Sequence, residues 1–575
     1  NNKMIRNAQY KHDTLKKMHQ NYIKQKHVKQ KHEKHVKRTE IIPVTSSLNE
    51  KPIVIIVTSI MIESIAINFS KFLFEFGIDH KIIYNLTEDM CNKSTNNELY
   101  LIIHNDSLHS MLPKNFILYQ IEQINSNFFT LKYLKELKKS NIIWEFSMRN
   151  KIKYDQIDLK KIFYQPMPFY YDHEPPVTDS TYSTDESSVY DVAFYGTTNE
   201  RRVKILNHLS DKFKTNVGYG KISKDRDSII RKSKIILNLH YYKDSSLESC
   251  RINEILQYDK IIISELPNSK DWFNKELYDN LVIFIDEISD DLININKLIE
   301  KIEYYSIPEN YEKQINTIRK NKLILHNNSK YFLSKNLLSV KNEINFNKNK
   351  FEYDVVENEL YCLHLIETPY RIEKFKSQIF IPKFVFFPAI KFSPGWIGTC
   401  YSYTNIIWNA KRCGLNSITV FEDDCNFKMN FYNTYNTIRE FLEKIHKWDI
   451  FVGVIANLPP ETNVINIYKY KGVTFIEIDR MLSMVFNIYN KSSFDTILEW
   501  DENNNNVENN TIDQYLKNKK LSIITTLPFE FRCMNTESTL WGANLYDNYN
   551  KLFNLSTEIL KKKINNFSGK IIEIE

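Results

Sequence analysis

The sequence predicts an α/β protein made of successive open, mostly parallel sheets, on three observations. Short Ile/Val/Leu-rich runs recur from Pro52 onward. Segments with helical spacing separate them. The runs show little polar alternation, as expected of strands covered on both faces. A chain of 575 residues exceeds one ordinary core, so two folded domains plus a tail are expected. Hydrophobic residues at 42% and aromatics at 13% suffice to fill such cores.

Residues 1–45 carry almost no apolar stripe and read as a basic, disordered or partly helical tail. Residues 1–40 hold twelve Lys/Arg against three Asp/Glu, a net of +9, which leaves −2 for the rest of a chain whose total is +7. The charge argument for nucleic acid therefore touches the tail alone, where no aromatic platforms interleave, and no nucleic-acid partner is expected. His12, His19, His27, His32 and His35 lie among lysines, whose charge opposes a bound cation.

From residue 50 to 330 two lobes are expected, about 50–175 and 189–330. In the first, PIVIIVTS, HKIIYN, LYLIIHN, FILYQIEQ, NIIWEF and KIFYQPMP read as strands, and MIESIAINFSKFLFEFG as a crossover helix ending at Gly77. The acidic, Ser/Thr-rich stretch Pro175–Ser188 reads as a linker. In the second, YDVAFYGT, TNVGYG, SKIILNLHY and KIIISE read as strands, with ERRVKILNHLSDKF and LESCRINEILQ as helices. Residues 327–350 look polar and unpatterned, which puts a boundary near 345. A third unit, 352–575, opens with the strand LYCLHL, a helix around Ile372, FVFFPAI, the helix TCYSYTNIIWNAKRCG and the strand SITVFEDD.

Seven cysteines show no CxxC pair, which argues against a zinc site or disulfide framework and suits a reducing compartment. No apolar run reaches the ~18 residues that span a bilayer. No secretory leader is read, and a cytoplasmic location is expected.

The most informative residues are FEDDCNF, Phe421–Phe427, directly behind an apolar strand. Parallel sheets place ligand crevices at the carboxyl ends of their strands. Carboxylates gathered there stay ionised more easily beside a cation. Mn²⁺ or Mg²⁺ needs few protein carboxylates and completes its shell with phosphate oxygens and water. Such an ion neutralises charge on a departing diphosphate. A solvated acidic turn is the plainer reading of the same triplet.

The context resembles glycosyltransferase family 25, the lipooligosaccharide and collagen β-galactosyltransferase type. Leu365 and Arg371 fit its opening INLxxxxxR element. Gly395, Gly398, Cys400 (one place late) and Ser402 fit GxxGCxxSH, and Glu422, Asp423 and Asp424 fit the strand ending in EDD. Tyr403 stands where the family usually has His. TIDQYL supplies Asp513 for the downstream D-x-x-L element, and Ser538 fits the closing one. Over residues 358–542 the resemblance implies a GT-A-like fold, a nucleotide-sugar donor, a divalent metal and inversion at the anomeric carbon. Asp423 and Asp424 would hold Mn²⁺ or Mg²⁺, with Glu422 and Arg371 near the donor. Asp513 would take the acceptor's proton, with Asp479 in reserve. Asp513 reads equally as a first-turn acid of a helix.

In LESCRINE, Glu248, Arg251 and Glu254 share one face near a helix start. That pattern serves either an intrahelical salt-bridge cluster or a nucleotide site, with diphosphate at the helix N-terminus, Arg forked onto it and a carboxylate on ribose. YDVAFYGTTNERRVKIL followed by LESCRINE resembles the C-terminal lobe of GT-B glycosyltransferases of the family 1/family 4 type. Gly196 would open the loop and Arg201/Arg202 the next helix. The family's Gly after the helix is missing from Gln257–Lys260.

Together these resemblances imply a two-lobed, twin Rossmann-like GT-B-like domain followed by a GT-A-like α/β domain. The expected function is a tandem glycosyltransferase moving sugars from nucleotide-sugar donors to a glycan, glycolipid or glycoprotein. In the alternative, only the C-terminal domain is catalytic and the GT-B-like half binds acceptor or scaffolds.

Overall fold

The computed structural model describes residues 53–59, 62–96, 98–103, 112–140, 142–155, 161–172, 190–218, 223–289, 291–340, 351–534 and 546–575. The basic tail, the 175–188 linker and Ser538 lie outside them.

The first lobe contains β1 (Ile53–Val57), α1 (Glu63–Glu75), β2 (His80–Ile83), β3 (Glu98–Ile103), β4 (Phe116–Gln120), β5 (Ile142–Glu145) and β6 (Ile162–Tyr164). Its strands form one parallel sheet in the order β2-β1-β3-β4-β5-β6. Successive residues of β1 and β3 feed two different cores. Val54, Ile56, Leu99 and Leu101 pack with Phe69, Phe72 and Leu73 of α1, whereas Ile55, Val57, Tyr100 and Ile102 pack on the opposite face. Burial on both faces is why these runs lack polar alternation. Helix α1 ends at Gly77, whose φ of +67° lets Ile78 N–H reach Leu73 O and Gly77 N–H reach Phe74 O.

The second lobe contains β7 (Tyr190–Tyr195), α2 (Glu200–Ser210), β8 (Thr215–Gly218), α3 (Ser223–Arg231), β9 (Ser233–Asn238), α4 (Ser249–Leu256), β10 (Ile261–Glu265), α5 (Trp272–Tyr278) and β11 (Ile283–Ile285). Its sheet is again all parallel, ordered β11-β10-β9-β7-β8.

A 30-residue helix, α6 (Pro308–Leu337), then joins everything. Ile315, Ile318 and Leu325 enter the second lobe's core. Tyr331, Phe332, Leu333 and Leu337 enter a core that runs without a break from the first lobe into the third domain. The sequence reading of 327–350 as polar and unpatterned is corrected through residue 340: 327–337 is helical and its last turns are buried. Its polar side chains close backbone groups at the junction. Asn336 donates to Tyr164 O at 2.8 Å, Lys335 to Ala389 O at 3.2 Å, and Ser329 accepts from Phe169 N–H at 3.1 Å. Buried polar groups are tolerated where they satisfy such partners.

The third domain contains β12 (Leu360–His364), α7 (Pro369–Lys376), β13 (Val385–Pro388), α8 (Gly395–Arg412), β14 (Ser417–Glu422), β15 (Cys425–Asn426), β16 (Ile450–Val452), β17 (Val464–Tyr470), β18 (Val473–Ile478), β19 (Phe486–Asn490), α9 (Ile512–Lys517), β20 (Ile523–Thr526), β21 (Arg532–Cys533) and β22 (Ile571–Glu573). Its mixed nine-stranded sheet runs β13-β12-β14-β19-β16-β20-β18-β17-β22, and β15 pairs with β21 beside it. Gly398 lets α8 lie against the 390–392 loop, because a Cβ there would stand 2.5 Å from Ile390 O. The edge of β6 meets this domain through Tyr164 N–H, which donates to Glu367 at 2.8 Å.

Candidate active site

The parallel register of β12 and β14 sets Leu363 opposite Glu422, so the next residues, His364 and Asp423, leave the sheet side by side at its carboxyl edge. His364 Nδ1 stands 2.6 Å from Asp423 Oδ2. From the first turns of α7, Arg371 Nε donates to Asp423 Oδ1 at 2.8 Å, and its Nη2 lies 3.3 Å from Asp424 Oδ2. Both oxygens of Asp423 are thus engaged by buried partners. Burial alone would raise its pKa, but the bonds from His364 and Arg371 outweigh that and hold it below the usual carboxylate range.

Asp423, expected as a metal ligand, is thus held by Arg371 and His364. Asp424 differs. Its Oδ1 is buried without a hydrogen-bond partner, and burial, then Asp423, raise its pKa. Burial and the charge of Asp424 push Glu422 up to about 8. Tyr403 donates to Met484 O at 2.9 Å and lies 3.1 Å from Glu422 Oε1.

Among the described residues, no three His, Cys, Asp or Glu side chains form a ready metal cage. The donor set still fits a hard divalent ion that takes most of its shell from phosphate and water. Asp424 offers an unpartnered oxygen and Glu422 a second carboxylate, and Asp423 and Asp424 both face one Arg.

Asp513 lies in the first turn of α9, where its Oδ1 accepts from Thr511 Oγ1 at 2.7 Å and Gln514 N–H at 2.9 Å. It is brought to the same edge. The Cys400 thiol in the opening turns of α8 contacts Asn510 O, just before α9. The buried Tyr489 phenol is raised by burial and then by the charges of both Glu422 and Asp513. Asp479 is not brought there. Through β14, β19, β16, β20 and β18 the register aligns Ile478 with Ile418, so Asp479 follows the opposite end of the sheet. It accepts from Asn463 N–H and Asn463 Nδ2, both at 2.8 Å, and its reserve role as base is corrected to a turn anchor.

In the second lobe Glu248 and Arg251 of LESCRINE pair with each other, whereas Glu254 is paired from outside the helix. Glu248 stands at the N-cap position of α4, and its carboxylate lies 3.0 Å from Arg251 and 3.2 Å from Arg202. Glu254 lies 3.3 Å from Arg226 and accepts from Tyr195 OH at 3.0 Å. Gly196, at φ +134°, leaves room for Arg251, since a Cβ there would meet its Nη2 at 2.9 Å. Arg201 pairs with Glu265 at 2.6 Å inside the lobe, and Arg202 donates to the carbonyls of Thr197 and Leu239. After α4, Asp259 takes φ +51° with its carboxylate held by Lys322 at 2.5 Å and Arg319 at 2.9 Å.

Two residues escaped the sequence reading. His364 is a single His ending a strand, and only the strand register places it on Asp423. His240 is fully buried beside Glu248 and Glu265 with both ring nitrogens unpartnered, and burial lowers its pKa.

No family model matches the chain, and no curated protein matches it. Solved structures similar to about half of it include a glycosyltransferase from Rickettsia africae, with 10% identity over 51% of this chain and 99% of that one, TM-score 0.30. HepE from Anabaena, in complex with UDP and glucose, shows 9% identity over 51% and 99%, TM-score 0.32. WaaG, a glycosyltransferase involved in lipopolysaccharide biosynthesis, shows 10% identity over 47% and 95%, TM-score 0.24. Superpositions this loose establish neither a family nor an activity. No described helix is long and apolar enough to cross a membrane.

Proposed function

We propose that this protein is a nucleotide-sugar glycosyltransferase whose third domain, GT-A-like in fold, carries a metal-dependent inverting site at the carboxyl edge of β14. The observation that carries this reading is the division of labour in the acidic cluster. Asp423 is consumed by Arg371 and His364, while Asp424 keeps a buried oxygen without a partner. In this reading Asp424 and Glu422 hold Mn²⁺ or Mg²⁺. When bound, the ion supplies Lewis-acid stabilisation to the donor diphosphate. Arg371 adds positive charge beside the same phosphates. Asp513 accepts the proton of the acceptor hydroxyl as its oxygen bonds to the anomeric carbon. The bond from that carbon to the phosphate oxygen breaks, and the nucleoside diphosphate leaves with the electron pair.

The full-length chain should hydrolyse or transfer from one of a panel of UDP-, GDP- and TDP-sugars only with Mn²⁺ or Mg²⁺. Asp424→Asn should abolish this without unfolding the protein. Metal-independent turnover that survives Asp424→Asn would refute the assignment.

The same geometry favours the single-site alternative over the tandem one. In the GT-B-like half, Glu248 and Arg251 neutralise each other and Glu254 is paired with Arg226. A donor diphosphate must displace Glu248 before Arg251 can reach it. That half acts as an acceptor-binding or scaffolding module for a glycan, glycolipid or glycoprotein. Glu254→Ala should leave turnover unchanged. A second, metal-free activity lost in Glu254→Ala would restore the tandem reading.

A further inference from the structure

The acidic site belongs to the third domain, yet one wall of its supporting shell comes from the second lobe. Helix α5 opens with Trp272. Its ring packs 4.7 Å from Phe386 and 6.2 Å from His364, which themselves stand 5.8 Å apart. Cys362, His364 and Phe386 share one face of the β12–β13 pair, and Trp272 covers that face. The seat is reinforced from α7, the helix that delivers Arg371. Lys376 lies 3.9 Å over the Trp272 ring and 3.7 Å from Glu276 of α5. At this same end α5 is fixed within the GT-B-like half through its N-cap residue. Asp271 accepts from Ser147 Oγ at 2.5 Å, from Asn274 Nδ2 at 2.8 Å and from Leu247 N–H at 2.8 Å.

We propose that Trp272 is a positioning residue of the acidic site, so that the third domain's site is complete only with the second lobe seated against it. The inference rests on the reading of that site as a metal–nucleotide site. Trp272 and Phe386 hold the His364 ring with Nδ1–H on Asp423. Asp423 in turn holds Arg371, and Arg371 reaches Asp424. Removing the indole opens the His364 face to water, which competes for Asp423 and loosens Arg371. Groups that orient metal-site residues from behind commonly change affinity by roughly 10–100-fold when removed.

The test uses full-length Trp272→Ala, Trp272→Leu and Trp272→Phe, with two readouts. The first needs no metal: the slowly exchanging imidazole Nδ1–H resonance of His364, identified by its absence in His364→Asn. It should persist in wild type and Trp272→Phe and vanish in Trp272→Ala and Trp272→Leu. The second is Mn²⁺ affinity in the presence of UDP, read from the free-ion paramagnetic signal. Trp272→Ala and Trp272→Leu should weaken it by roughly tenfold or more, with Trp272→Phe within about threefold of wild type. Adding His364→Asn to Trp272→Leu should cost no further affinity, because both act through one contact; independent structural damage would add.

If the Nδ1–H resonance and the Mn²⁺ affinity both survive in folded Trp272→Leu, the proposal is wrong. If the resonance is lost while wild type binds no Mn²⁺, the positioning role stands and the metal reading falls.

Discussion

Arg371 Nε donates to Asp423 Oδ1 at 2.8 Å in the interior of the third domain, so two adjacent carboxylates of the EDD triplet do different jobs. Asp423 is 4% exposed and answers a buried guanidinium, whereas Asp424 keeps an oxygen without a partner. Breaking a buried ion pair from one side strands the other charge at a cost of about 3–5 kcal/mol. Asp423→Asn should therefore lower the unfolding free energy by about that amount. Asp424→Asn should change stability little and remove metal binding. Thermal unfolding and Mn²⁺ titration of the two variants separate the roles; equal loss of stability in both would contradict them.

Gly196 and Gly77 both have positive φ, but for different reasons. At Gly196, φ is +134° and a Cβ would stand 2.9 Å from the Arg251 guanidinium. At Gly77, φ is +67° and nothing lies within 4 Å. Gly77→Ala should cost only the left-handed backbone, about 1–2 kcal/mol. Gly196→Ala adds displacement of Arg251 to a backbone region reserved for Gly, itself worth about 1–3 kcal/mol. The Gly196 variant should thus have the lower melting temperature. It should also perturb the Glu248–Arg251 pair.

Arg201 and Glu265, at 5% and 0% side-chain exposure, form the most enclosed ion pair among the described residues of the second lobe. Arg201→Met leaves Glu265 buried beside His240 and should destabilise by about 3–5 kcal/mol. Arg201→Met combined with Glu265→Gln removes both charges and should recover part of that loss. Denaturant unfolding of the two variants decides it: a double variant no better than the single one would show that the backbone bonds to Ile288 and His240, rather than charge pairing, set the cost.

Strands were legible in the sequence because burial on both faces leaves long Ile/Val/Leu runs, as at Ile261–Glu265. The helix carrying Arg251 was legible, and so was its i, i+3 pair with Glu248; the pairing of Glu254 with Arg226 was not, because it joins two helices. The end of α6 was not, because Ser329, Lys335 and Asn336 are polar residues spent on junction carbonyls and amides, which composition cannot tell from a loop. The EDD triplet was legible as a cluster. Its partition between Asp423 and Asp424 was not, because that depends on a strand register joining residues 59 apart. Asp479 failed as a base for the same reason: proximity to a strand end in sequence does not say which end of the sheet that is.

Asp271 gives the junction between lobes a pH signature. Burial raises its pKa from 3.8 to about 6, even with Ser147, Leu247 and Asn274 donating to it. The folded protein holds the proton more tightly than the unfolded chain, so this group's contribution is complete below pH 3.8 and is lost as pH rises through about 6. A shift of that size corresponds to about 3 kcal/mol. Asp271→Asn should be less stable at every pH, since an amide cannot accept from all three donors. The gap between wild type and variant should be widest near pH 4 and narrow by about 3 kcal/mol by pH 7. Paired denaturant titrations across that range measure the gap directly, and other carboxylates cancel in the difference. A gap that widens with rising pH would mean that Asp271 is ionised throughout, with its three donors outweighing its burial.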